Sequence, residues 1–167
     1  PNVQFSVDFG TYKEPTSLGL DNVKFLFSAN KNSVLQNISS VASGGEIARL
    51  MLALKCLIAK SAELPTIIFD EIDTGVSGDV AGRMGEMMAE MATDIQVLTI
   101  THLPQIAARG GQHFKVFKHD TEDATVTQIV GLSVSERELE IAEMLSGKNP
   151  SEAAISAARE LLTIHNS

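Results

Sequence analysis

Thr66-Ile67-Ile68-Phe69-Asp70-Glu71-Ile72-Asp73-Thr74-Gly75-Val76-Ser77-Gly78 is the stretch that decides the fold. It follows Pro65, runs through compact apolar residues and ends its first half in two acids. Apolar residues without alternation, bounded by a proline and by charges, predict a strand buried on both faces. Asp73 to Gly78 reads as a loop, and a Met- and Ala-rich helix follows to about Ala92. Ile95 to Thr101 is then a second short buried strand, broken by His102-Leu103-Pro104, which opens a short helix. His102 lies 32 positions beyond Asp70, and one strand–helix–strand unit takes roughly 30 residues. Parallel strands joined in this way bring Asp70, Glu71 and His102 to the same sheet edge.

The flanks supply further elements. Ile47, Leu50, Met51, Leu54, Leu57 and Ile58 follow the spacing of one helical face, which predicts a helix from about Ser43 with that face buried. Residues 3–9 alternate apolar and polar like a half-buried strand, and residues 22–28 read as a second strand. Gly10, Pro15 and Gly19 mark 10–21 as a loop, and 29–42 is polar and irregular. Beyond the decisive unit, 112–118 and 124–131 form a hairpin pattern, followed by helices near 134–146 and 150–164. Ser133 with Glu136 makes a capping box for the first of these, and Asn149 before Pro150 suits the start of the second. The order implies a layered α/β domain with no internal repeat and no clear boundary.

Composition narrows the function classes. The chain has 167 residues, enough for one domain with a real core, and 44% of them are hydrophobic. A net charge of −8 repels phosphate backbones, so this segment by itself is a poor candidate for tight nucleic-acid binding. Its single cysteine, Cys56, cannot close an internal disulfide, which fits a reducing cytoplasm. No apolar run approaches membrane-spanning length, and the chain, which starts at Pro1, reads as a piece of something longer. His113, His119 and His165 have no metal-ligand spacing, and the methionines of the 84–91 helix read as packing residues.

Three places can carry chemistry. Ser43-Gly44-Gly45-Glu46 opens a helix, where two glycines admit a close anion, free N–H groups face it and the serine can donate its hydroxyl. The same Ser-x-x-Glu spacing is also an ordinary capping box. Asp70 can hold Mg²⁺ at the end of its strand, and Glu71 can orient or deprotonate a water, unless the two acids merely begin a solvated loop. His102 can hydrogen-bond a phosphate oxygen or position that water, although a lone histidine is usually structural.

Taken together, Val41-Ala42-Ser43-Gly44-Gly45-Glu46, Asp70-Glu71-Ile72-Asp73-Thr74-Gly75-Val76-Ser77-Gly78 and Thr101-His102-Leu103-Pro104-Gln105-Ile106-Ala107 resemble the signature motif, Walker B strand with D-loop, and switch histidine of ATP-binding-cassette heads. With Phe25-Leu26-Phe27-Ser28-Ala29-Asn30 they resemble more narrowly the SMC-like RecN family of bacterial DNA repair proteins, over nearly the whole chain. The resemblance implies an α/β, P-loop NTPase-like head, here the C-terminal lobe spanning 1–167, with a central, mostly parallel sheet flanked by helices. It implies ATP and Mg²⁺ as ligands, Asp70 on the metal, Glu71 as base and His102 as γ-phosphate sensor. Ser43, Gly44, Gly45 and Glu46 would face ATP held by the opposing head, and Thr74, Gly75 and Ser77 would form the D-loop at the dimer interface. The signature has Ala42 where leucine is usual and Glu46 where glutamine is usual, and the D-loop has Ser77 where an aspartate is usual.

The chain contains no Gly-x-x-x-x-Gly-Lys-Ser/Thr phosphate loop and no long heptad stretch. In the family resembled, an N-terminal lobe carries that loop and a long coiled coil separates the two lobes. The expected partners are therefore that lobe, a second head across sandwiched ATP, and DNA through the whole protein in double-strand-break repair and recombination. The expected location is the bacterial cytoplasm at the nucleoid, with no membrane partner. The alternatives are a chromosome-organising SMC head, a transporter-type lobe, or a non-catalytic dimerisation module.

Overall fold

A computed structural model describes residues 3–28, 34–40, 44–61, 63–120 and 124–163. The chain divides into two compact units, Pro1–Leu50 and Met51–Ser167.

In the first unit, β1 (Gln4–Thr16) and β2 (Gly19–Ser28) form an antiparallel hairpin, and the short β3 (Gln36–Asn37) adds to β2. A single 3₁₀ turn follows at Ile38–Ser40. The hairpin corrects the loop expected over 10–21. Its strands run on through that segment and turn only at Ser17-Leu18, where Thr16 Oγ1 donates to Gly19 O at 2.8 Å and Gly19 takes φ 105°. Pro15 is tolerated because it lies where the register shifts between Thr11 and Thr16, on the edge strand of the sheet. The paired register sets Phe5, Val7, Phe9, Val23, Phe25 and Phe27 on one face, and Phe5 stacks on Phe25 with ring centroids 6.2 Å apart. Phe27 at one end of that face is buried, and most of the rest is open, with Phe9 75% exposed.

Helix α1 (Gly44–Ser61) crosses the division between the units. In the second unit, β4 (Thr66–Asp70), α2 (Gly78–Met91) and β5 (Gln96–Ile100) make the expected strand–helix–strand unit, with β4 and β5 parallel from Thr66↔Gln96 to Asp70↔Ile100. This parallel sheet has two strands, and among the described residues the other five strands pair antiparallel in separate sheets. Phe69, Met84, Met88, Met91, Leu52 and Ala59 form the buried cluster, with Ile67, Val97 and Cys56 packed against it. Three of the methionines between Met84 and Met91 are thus core residues.

Two burial expectations are overturned. Strands β4 and β5 are covered on one face only: Phe69 is fully buried, whereas Ile68, Leu98 and Ile100 on the opposite face stay exposed. Helix α1 buries Leu52 and Ala59, while on the predicted inward face Leu50 is half-buried and Ile47, Met51, Leu54, Leu57 and Ile58 are exposed. The helix is apolar nearly all round between Leu50 and Ala59, so spacing alone offers two faces and tertiary packing selects one.

Short helix α3 (Pro104–Ala107) is anchored on α2 at Gly85, where a Cβ would lie 2.9 Å from Arg109 Cγ and 3.2 Å from Gln105 O. The antiparallel hairpin β6 (Phe114–Asp120) and β7 (Thr125–Gly131) leads to α4 (Val134–Ser146) and α5 (Glu152–Thr163). Helix α4 begins with the full capping box predicted: Ser133 accepts from the Glu136 N–H, and the Glu136 carboxylate accepts from the Ser133 N–H at 2.8 Å. The Ser133 hydroxyl also donates to this carboxylate, at 2.6 Å, and that bond together with the one from the Ser133 N–H holds the Glu136 carboxyl below its usual range. Helix α5 is capped by Ser151, whose hydroxyl accepts from Ala154 N at 3.3 Å, rather than by Asn149, which sits in the left-handed region at φ 61°. Arg137 donates to the carbonyls of Ala108 and Gly110, tying the segment after α3 to α4.

His113 lies beside this tie. Burial, together with the positive charge of Arg137 and Lys115, holds its imidazole below the ordinary 6.5, against the opposing pull of Glu140. The folded protein therefore binds this proton less readily than the unfolded chain. The resulting stability is present in full above 6.5 and is lost as pH falls through the lowered folded value. We expect His113→Leu to flatten the fall in unfolding midpoint between about pH 7.5 and about pH 5. An equal fall in both proteins would remove His113 as its source.

Candidate functional site

The C-terminal edge of the parallel pair is where the sequence-predicted acids and histidine meet. The register pairs Asp70 with Ile100, and the ladder continues one residue further through Glu71 N–H donating to Ile100 O at 3.2 Å. Glu71 and Thr101 are therefore the first residues beyond the two strands, with His102 next. Asp70 and Glu71 are exposed, as is the His102 side chain, at 67%.

Glu71 has an unusual backbone for a residue with a side chain, with φ 46°. It is fixed there on both sides. Its carbonyl accepts from Thr74 N–H at 3.2 Å and from Thr74 Oγ1 at 2.9 Å, while its own N–H is held by β5. Gly75, at φ 76°, continues the turn, Val76 N–H donates to Asp73 O at 3.0 Å, and Gly78 starts α2 at φ 56°. Ser77 is the N-cap of α2 but makes no capping bond with its side chain. Thr74, Gly75 and Ser77 are all exposed on this loop.

Asp73 is the exception, and with Thr101 it is a residue of this edge that the sequence reading did not single out. Its side chain is 1% exposed, accepts from Thr101 Oγ1 through Oδ2, and lies 3.8 Å from His102 Nδ1. Thr101 Oγ1 in turn accepts from Leu103 N–H at 3.0 Å. An acid in a loop reads as solvated. Only its placement opposite Thr101-His102 across the edge reveals the connection, and that requires the pairing of β4 with β5.

The structure thus brings Asp70, Glu71, His102 and the 73–77 loop together. Gly44 and Gly45 are the first residues of α1, in the other unit, with Gly45 buried. Ser43 lies outside the described residues, as does the Glu46 side chain. Among the described residues no cluster of three or more histidine, cysteine or acidic side chains could hold a metal by itself. Asp70, exposed at the strand end, offers one carboxylate oxygen donor, the kind of ligand that Mg²⁺ takes beside waters and substrate phosphates. Among the described residues no helix is long and apolar enough to cross a membrane.

No family model matches the chain. It is 41% identical over 158 residues, 95% of its length, to the DNA repair protein RecN of Rickettsia felis. It is 43% identical over 162 residues to that of Deinococcus radiodurans and 42% over 147 to that of Bacillus subtilis. The chain spans only 29%, 28% and 26% of these relatives. Among solved structures it is similar to the Smc head domain with a coiled coil and joint from Pyrococcus yayanosii, with TM-score 0.68 at 20% identity over 87% of this chain and 26% of that one. It is also similar to a chain from work on the ATP-driven dimerisation and DNA-stimulated activation of SMC ATPases, with TM-score 0.62 at 24% identity over 87% of this chain and 83% of that one. These likenesses assign the fold.

Proposed function

The chain is RecN-like over 95% of its length, and from that premise we propose that it is the C-terminal lobe of an SMC-like ATPase head acting in DNA double-strand-break repair and recombination. The observation that carries the proposal is the convergence of Asp70, Glu71 and His102 on one edge of the β4–β5 pair. Open α/β sheets bind their ligands at that edge.

In this reading Asp70 holds Mg²⁺, which when bound neutralises charge on the ATP phosphates. Glu71 accepts a proton from the water that attacks the γ-phosphorus; the bond to the β-phosphate oxygen breaks, leaving ADP and phosphate. His102 donates a hydrogen bond to a γ-phosphate oxygen. Ser43, Gly44, Gly45 and Glu46 receive the phosphates of ATP bound to a second head. Thr74, Gly75 and Ser77 cross to that head as the D-loop. ATP thereby joins two heads and its hydrolysis releases them, while DNA is engaged by the whole protein at the bacterial nucleoid. The acidic balance, net −8, supports leaving DNA contact to other parts.

A second reading is a non-catalytic association module. The open apolar faces of β4–β5 and of the β1–β2 hairpin favour it. One experiment separates the two: ATP turnover and size in solution for the 167-residue chain and for the full-length protein that carries it. Turnover and an ATP-dependent dimer are expected only at full length. Appreciable turnover by the clean chain would contradict a composite site, and a full-length protein without turnover would leave the module.

A further inference from the structure

Asp73 and His102 differ in a way that invites an explanation. The carboxylate is interior, the imidazole is 67% exposed, and 3.8 Å separates Asp73 Oδ2 from His102 Nδ1. An exposed histidine without a partner is free to turn its ring, and which ring nitrogen carries the proton is set by what the other one faces. Here an acceptor is built in on the Nδ1 side. Among the described residues, Asp73 Oδ1 is also buried without a hydrogen-bond partner. An interior carboxylate with an open acceptor is costly unless nearby donors or charge compensate.

We propose that Asp73 is a positioning residue for His102: from inside the 71–77 loop its carboxylate faces the imidazole at 3.8 Å from Nδ1 and attracts the Nδ1–H side electrostatically, so that Nε2 is the nitrogen presented to the nucleotide. Thr101 completes the device. Its hydroxyl donates to Asp73 and accepts from Leu103 N–H, so the residues on both sides of His102 are tied to the carboxylate. Glu71, Thr74 and Ser77 lie on the loop that carries Asp73, and that loop is held by Thr74 on the Glu71 carbonyl and by Val76 on the Asp73 carbonyl. The inference rests on the ATPase reading above, and it adds a residue that does not itself touch the nucleotide.

The test is a double-mutant cycle on ATP turnover by the full-length protein, with Asp73→Asn, His102→Gln and the pair. Asp73→Asn is expected to lower kcat by roughly 10-fold to 100-fold, as for carboxylates that orient other functional histidines, with KM for ATP little changed. In the His102→Gln background it is expected to cause no further loss. Multiplicative losses in the pair would overturn the proposal, because a carboxylate that only braces the loop acts whether or not the histidine is present. If Asp73→Asn melts below the assay temperature, Thr101→Val reads the same linkage from its other partner: the same loss alone and none beside His102→Gln supports it, and independent losses overturn it. If Glu71→Gln abolishes turnover while His102→Gln matches wild type, the ATPase reading stands and this inference fails. Absence of turnover in the wild-type protein overturns both.

Discussion

ATP turnover by the full-length protein is expected to fall by about 10²–10⁴-fold on Glu71→Gln, the size usual for loss of a general base. Binding of ATP and ATP-dependent dimerisation are expected to survive. The Glu71 N–H and carbonyl are both engaged, by Ile100, Thr74 N–H and Thr74 Oγ1, so the residue has a fixed seat while its carboxylate is exposed. Glutamine keeps the shape and an acceptor oxygen but cannot take up the proton at neutral pH. The variant therefore leaves the ground-state contacts and removes the proton transfer. Turnover at the wild-type rate would take Glu71 out of the role of base. Loss of dimerisation along with turnover would instead give the residue a part in joining the heads.

The largest effect on stability is expected from Phe69→Ala, at about 3–5 kcal/mol. Phe69 is fully buried in the central cluster, and Lys55 Nζ lies 5.6 Å from its ring centroid. Truncation removes the ring's transfer energy and leaves a cavity against the methionines of α2, which can refill it only in part. Ile68→Ala, one residue away on the opposite face, is the matched control. With Ile68 59% exposed, its truncation is expected to cost well under the Phe69 change, within about 1 kcal/mol. Urea unfolding of both variants reads the difference. Equal losses would mean that β4 is covered on both sides.

That comparison also marks how far the sequence could be read. The β4–α2–β5 unit was legible because its signals agree: a proline, a short apolar run, acids, a helix-length spacer and a second apolar run. That the candidate acids and His102 share one edge followed from the 32-residue spacing and strand direction, and their roles from the family resemblance. What failed was sidedness. An apolar run can signal a strand buried twice or a strand with one open face, and Ile68, Leu98 and Ile100 belong to the second kind. Helix α1 misled for the same reason, since Leu54 and Leu57 keep helical spacing as well as Leu52 and Ala59 do. Over 10–21, Gly10 and Pro15 looked like breaks, yet an edge strand with a register shift accommodates both. Asp73 could not be found from local composition, because its partner Thr101 lies across a helix in the chain.

The backbone at Glu71 has a further consequence. At φ 46° a side chain is a burden that glycine would not carry. For the fold alone, glycine is the easier occupant of position 71. A glutamate there means that stability and chemistry pull in opposite directions at a single codon, so a search for hardier variants of this protein that screens only for resistance to heat will tend to erase the residue on which its turnover is proposed to depend.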